Sequence, residues 1–173
     1  MAIDVKLIDK LLALVKVEKQ QKLDKVAPVN LRELIIQVKT DFSAKLQAKS
    51  IQLELNVEDT TLQGDALLLR QAIGNLLDNA IDFSQAGSTI SIVVKRSDNT
   101  MTIAIGDHGT GIPDYAKDRL FERFYSLPRQ DGAKSTGLGL PFVREVMALH
   151  KGTVTVENGE HGGTVATIQL PVV

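Results

Sequence analysis

The amino-acid sequence predicts an α+β domain, a two-layer α/β sandwich in which a mixed, mostly antiparallel sheet carries its helices on one face. Three observations support this. Segments of helical and of alternating periodicity are interleaved along the chain, and the alternating segments occur in adjacent pairs that read as antiparallel hairpins. A hydrophobic content of 43% over 173 residues is enough for one domain with a substantial core.

Residues Ile3 to Leu23 place Leu7, Leu11, Leu14 and Val15 at helical spacing between lysines and acids, which predicts a helix with one apolar stripe. Pro28 breaks the pattern, and Asn30 is an N-cap candidate for a second helix over "LRELIIQVKTDFSAKLQAKS". "IQLELNV" alternates as a strand, and "EDTTLQGD" reads as a turn. From Asp65, a candidate cap, to Ser84 the helical periodicity is strong. "STISIVVKR" and "TMTIAIGD", separated by "SDN", predict an antiparallel hairpin, and "GTGIPDYAKDRLF" a turn and a short helix. "YSLPRQDGAKST" holds Pro128, Asp131 and Gly132 without apolar periodicity and reads as a mobile loop. A helix from about Gly139 to His150 and the strands "GTVTVEN" and "GTVATIQLPV" complete the order, with no internal repeat.

Twenty basic residues against twenty-one acidic ones leave a net charge of −1, so nothing draws the whole molecule toward nucleic acid or anionic lipid, and any anion site is local. The lack of cysteine excludes disulfides, thiolate metal sites and a cysteine nucleophile, and suits a reducing cytoplasm. No apolar run has the length of a membrane span, and "MAIDVKLIDKLLALVKVEKQQ" is amphipathic and charged rather than a signal peptide. A soluble chain is expected, compatible with a longer parent that carries membrane segments.

On the helix after Asp65, Ala72, Ile73, Leu76, Leu77, Ala80 and Ile81 fill one arc, while Gln71, Asn75, Asp78, Asn79 and Asp82 fill the other. An ordinary solvated face would favour Lys, Glu, Gln and Arg. Asn and Asp instead cost roughly half a kcal/mol each against alanine in a helix interior, so this face asks for a use. Short carboxamide and carboxylate oxygens suit a hard cation such as Mg2+, which takes substrate phosphates as its other ligands.

Two glycine segments follow. "GDHGTGIP" puts Asp107 at a strand end before Gly109 and Gly111, where a buried carboxylate can accept from an exocyclic amine such as adenine's; a tight turn is the plain alternative. "KSTGLGLPFV" puts Gly137 and Gly139 at a helix start, where free backbone N–H groups and the helix dipole make an anion site. A dinucleotide fingerprint lacks its third glycine, and "GAKST" places Ala133 where a Walker loop needs glycine.

These segments, in this order, resemble the catalytic ATP-binding domain of sensor histidine kinases, within the gyrase, Hsp90, histidine kinase and MutL (GHKL) superfamily. "NLLDNAIDFS" is similar to its N box, "DHGTGIP" to its G1 box, "LFERFYSLP" to its F box and "STGLGLPFV" to its G2 box. "FERFYSLPR" with "KSTGLGLPFV" resembles the CreC type of inner-membrane sensor kinase. The likeness covers residues 26–173, and residues 1–25, with "IDKLLALVKVE", are similar to the end of the preceding dimerisation helix pair and its linker.

The resemblance implies a Bergerat-type ATP-binding fold with a mobile ATP lid, and ATP and Mg2+ as ligands. Asn79 would ligate Mg2+, and Asn75, one turn earlier, would support metal and phosphates; these two carry the expected catalytic role. Asp107 would bind the adenine amino group, Gly109 and Gly111 would shape the pocket, and Phe83 and Ile112 would line it. Gly137 and Gly139, with Leu138 and Leu140 beside them, would serve the phosphates as the loop from Tyr125 to Thr136 closes on a base anchored by Phe121 and Phe124. Two positions depart from the pattern: Asp82 stands where a basic residue commonly reaches a phosphate, and Ser126 where a lid arginine is common. Arg123, Arg129 and Lys134 are the nearest substitutes.

A histidine kinase phosphorylates a histidine that precedes an acidic residue on its dimerisation helices. None of His108, His150 and His161 has that setting, and each reads as a polar loop or helix-terminal residue. The acceptor is therefore expected on a separate part of a homodimeric, membrane-anchored parent in the bacterial inner membrane, with this domain in the cytoplasm, a response regulator as onward partner and no nucleic-acid partner. The alternatives are a nucleotide-gated interaction module and a serine kinase of the anti-sigma type. Against the latter stands "IDKLLALVKVE".

Overall fold

The computed structural model describes residues 5–128 and 135–172. Five strands form one sheet in the order β2 (Gln52–Val57), β4 (Thr89–Ser97), β5 (Thr100–Gly106), β7 (Thr164–Pro171) and β6 (Thr153–Asn158). β2 runs parallel to β4, and every other pair is antiparallel. Alternation decides which face is covered. Ile90, Ile92 and Val94 of β4, Met101, Ile103 and Ile105 of β5, and Ile168 and Leu170 of β7 are buried together under the helices, while the residues between them are only partly covered or exposed. The two-layer α+β arrangement expected from the sequence is the one observed.

The helical layer consists of α1 (Val5–Lys19), α2 (Leu31–Asp41), α3 (Ser43–Ala48), α4 (Ala66–Phe83) and α5 (Gly139–Leu149). Both N-caps expected from the sequence form: Asn30 accepts from the Glu33 N–H at 3.0 Å and Asp65 from the Leu68 N–H at 3.2 Å, each satisfying an orphan donor. α4 lies at the centre, between α2 and α5, with Leu69, Ile73, Leu77 and Ile81 buried. α1 packs on α5 and buries Leu14 and Val17, each contributing roughly 1.5–3 kcal/mol if it were otherwise exposed.

Three sequence expectations need correction. The second helix is broken at Phe42, whose ring lies against Gly74 of α4; a Cβ at Gly74 would stand 3.2 Å from that ring. The segments around Pro28 and "EDTTLQGD" are not merely breaker and turn. They hold β1 (Ala27–Asn30) and β3 (Thr61–Gly64), which pair antiparallel as a separate two-stranded ribbon. The helix expected within "GTGIPDYAKDRLF" is a single 3-10 turn, Asp114–Ala116. Of the loop expected over "YSLPRQDGAKST", residues 129–134 lie outside the described residues.

Candidate nucleotide-binding site

α4 brings Asn79, Ala80 and Phe83 to the edge of a concave cleft. Its other walls are mostly apolar, from Ile105 and Ala166 on the sheet, Leu140 on α5, and Ile112, Leu120 and Leu127 in the connecting segment. The polar groups converging on it are few. Asp107, directly after β5, is 7% exposed, and its Oδ1 accepts from the Gly109 N–H at 2.8 Å and the Thr164 N–H at 3.1 Å. Burial pushes the Asp107 carboxyl above its ordinary value, while those two donors and nearby His108 pull the other way. Because both backbone donors use Oδ1, Oδ2 is left to an incoming donor.

A second cavity of about 430 Å3 continues from the first, sharing Asn79, Phe83, Leu120, Leu127 and Leu140. It is lined further by Tyr125, Ser126, Ser135, Gly137 and Gly139. Asn79 therefore sits at the junction, with a buried carboxylate at one end and a glycine-bounded helix start at the other. Gly137 has φ +72°, and a Cβ there would lie 2.5 Å from the Phe124 carbonyl carbon, so only glycine lets the two segments touch. The contact is sealed by the Phe124 N–H donating to Gly137 O at 3.0 Å, with Phe124 itself at φ +66° and 59% exposed. Gly109 is required for the same reason, since a Cβ there would stand 2.1 Å from Phe83 O.

Asn79, Phe83, Asp107, Gly111, Ile112, Tyr125, Gly137, Gly139 and Leu140 are brought together in these two cavities, and Gly109 supports them through Asp107. The other candidates lie elsewhere. Asn75 donates to Gly139 O at 3.3 Å and faces a cavity between α1, α4 and α5. Asp82 does not line the cleft; it turns toward α3, where Lys45 pairs with it at 2.7 Å and also with Asp78. Burial works to lower the Lys45 ammonium, but its hydrogen bonds to the two carboxylates prevail and raise it. Arg123 pairs with Glu18 of α1, which directs its charge away from the cavities. The Leu138 side chain is 1% exposed within the main core, leaving its backbone alone near the site, where its N–H donates to Thr136 Oγ1 at 3.3 Å. Arg129 and Lys134 lie outside the described residues.

Sequence reasoning missed Thr164, whose backbone holds Asp107, and Asn158, which grips Ile112 from β6. A signal was present in "GEHGG". Gly163 has φ +71°, and a Cβ there would lie 2.0 Å from Asp107 O, so a glycine pair before a strand marked a close approach. Lys49 was missed as well: its ammonium donates to the carbonyls of Ile81 (2.7 Å), Asp82 (3.2 Å) and Ser84 (2.8 Å), capping α4.

A mixed sheet with helices on one face, and a cleft running from a buried aspartate to a glycine-bounded helix start, define a nucleotide-binding domain of the Bergerat type. The chain belongs to the histidine kinase-, DNA gyrase B-, and HSP90-like ATPase family, whose model matches residues 64–173. The sensor protein CreC of Escherichia coli K12 is 41% identical over 164 residues, 95% of this chain and 34% of CreC. Among solved structures, full-length ShkA in complex with AMPPNP has a TM-score of 0.84 at 26% identity, covering 97% of this chain and 35% of that one. The histidine kinase ThkA, in complex with response regulator protein TrrA, has a TM-score of 0.79 at 25% identity, covering 97% and 48%. The chain thus spans about a third of the length of the curated relatives it matches. Among the described residues, no helix is long and apolar enough to cross a membrane.

Proposed function

We propose that this chain is the catalytic domain of a membrane-anchored, homodimeric sensor histidine kinase, and that it binds ATP with Mg2+ and donates the γ-phosphoryl group to a histidine on the kinase's own dimerisation domain. The observation that carries this is the position of Asn79 between two joined cavities, one ending at Asp107 and the other at Gly137 and Gly139. Asp107 Oδ2 is the acceptor for the adenine amine, and the apolar walls supply the contact area for the base. The backbone at Gly137 and Gly139 and the start of α5 receive the phosphates. ShkA's complex with AMPPNP and ThkA's complex with TrrA support, by likeness, a nucleotide and a response regulator as the ligands of this chain.

The donor set fits Mg2+ carried by the nucleotide. Asn79 offers one carboxamide oxygen, no group of three or more His, Cys, Asp or Glu side chains forms a cage among the described residues, and Mg2+ characteristically takes one or two protein oxygens with phosphates and water. When bound, the ion neutralises phosphate charge. The chain's own residues then position the triphosphate for in-line attack: the imidazole nitrogen lone pair forms the P–N bond as the bond to the β-phosphate oxygen breaks, and ADP leaves. The Asn75 carboxamide, engaged with Gly139 O, is no general base, so activation of water is slow compared with transfer. Residues 1–25 are read as the end of the dimerisation helix pair and its linker, and the packing of α1 on α5 supports that reading.

Mixing the protein with a dimerisation domain bearing the acceptor histidine and radiolabelled ATP tests this. Magnesium-dependent, acid-labile label on the added domain is expected. Label on serine, or nucleotide binding without any transfer, would replace the proposal with the serine kinase or the nucleotide-gated module.

A further inference from the structure

At the end of β6, the carboxamide of Asn158 takes both hydrogen-bonding groups of a single residue 46 positions earlier. Its Oδ1 accepts from the Ile112 N–H at 2.6 Å, and its Nδ2 donates to Ile112 O at 3.1 Å. Ile112 lies in a loop with no ladder to pair its backbone, yet it is 7% exposed and forms a wall of the cleft opposite α4. A two-point grip of this kind fixes the rotation of the Ile112 peptide units as well as their distance from the sheet, which one hydrogen bond would not do.

The surroundings reinforce the grip. Gly111, at φ +78°, brings the chain so close that a Cβ would stand 2.8 Å from Asn158 Oδ1. Across the ladder, Asn158 is paired with Thr164, whose N–H holds Asp107 Oδ1. One end of the β6–β7 hairpin therefore sets both the acceptor for the base and the wall that the base rests on. The separation between those two elements is what decides whether a planar ring with an amine in the correct place is accepted.

We infer that Asn158 is a positioning residue for the base: through Ile112 it fixes the width and orientation of the cleft, and so the affinity for adenine and its discrimination from other purines. This rests on the nucleotide reading of the site. Because its contact is to the base end, its effect is blind to the phosphates. Asn158 is itself exposed, so truncation leaves the core intact and removes only the two bonds.

Calorimetric titration of ADP and AMPPNP, with and without Mg2+, into the wild-type protein and Asn158→Ala tests the inference. The expected result is a loss on the order of five- to tenfold for both nucleotides by the same factor. The magnesium-dependent increment should be unchanged, the preference for ADP over GDP narrowed, and the melting temperature of the free protein kept within a few degrees. Wild-type affinity in the variant, or a loss confined to AMPPNP, overturns the inference. Should Asn158→Ala fail to fold, Asn158→Asp carries the same test, since it keeps the shape and one acceptor but sets a carboxylate oxygen against Ile112 O. Absence of nucleotide binding by the wild type would instead sink the function proposed above.

Discussion

Replacing Asp107 by asparagine separates the two halves of its role. In the native site Oδ1 accepts from two backbone N–H groups, at 2.8 and 3.1 Å, which leaves Oδ2 as the acceptor assigned to the base. Asparagine has only one orientation that keeps the first set: its oxygen must replace Oδ1, because an amide nitrogen there would meet two donors. The nitrogen then faces the cleft, and an adenine amine meets a donor where it had an acceptor. Losing a hydrogen bond to a charged group costs about 1.5–3 kcal/mol, and leaving donors opposed adds to it, so ADP affinity should fall by roughly ten- to several-hundredfold. The free protein should not suffer. The carboxyl's raised pKa arises first from burial, and a neutral amide removes that desolvation penalty, so the melting temperature should hold or rise. The variant should also gain relative preference for 6-oxo purines, whose carbonyl can accept from the new amide. Calorimetry with ADP and IDP, beside thermal melts, measures each element. Asp107→Asn binding ADP within twofold of wild type would refute the assignment of Oδ2 to the base, and so would an equal loss for both nucleotides with no shift in preference.

Two further outcomes concern stability. Gly137→Ala places a side chain at φ +72°, costing about 1–2 kcal/mol for the left-handed backbone, with a clash at 2.5 Å against Phe124 besides; a melting temperature lower by several degrees is expected in thermal denaturation. His150 accepts the Asp65 N–H on Nε2 at 3.0 Å and is bonded to Val146 O through Nδ1 at 2.8 Å, and burial, ahead of opposing contributions from Val146 O and Asp65, holds its pKa below the ordinary 6.5. The unfolded chain therefore binds a proton that the folded one refuses, so stability is complete above about pH 6.5 and is lost as pH falls below it, a slope that His150→Gln should flatten in denaturant melts across that range.

Local pattern carried the helices and the sheet strands, because amphipathic periodicity and caps such as Asn30 and Asp65 are properties of neighbouring residues. It failed where a distant partner decides. The break at Phe42 depends on Gly74, 32 positions away, and the four-residue strands at Pro28 and Leu62 exist only as each other's partner. In the site, Asp107 and the glycines were legible from residue type at an element's end, and Asn79 from the Asn- and Asp-rich face of α4. Asn158 and Thr164 were not, since their partners lie 46 and 57 positions away and no local pattern states that register. Asp82 was placed by the box around it rather than by Lys45, an interaction that arises only once α3 has packed on α4.

Lys49 donates to carbonyls on both sides of Phe83, the aromatic wall that the two cavities share. The helix end that carries that wall is thus held by an ammonium that lines neither cavity. A change that discharges or removes this side chain would loosen the terminal turn and blunt the fit of the purine without altering a single atom in contact with it.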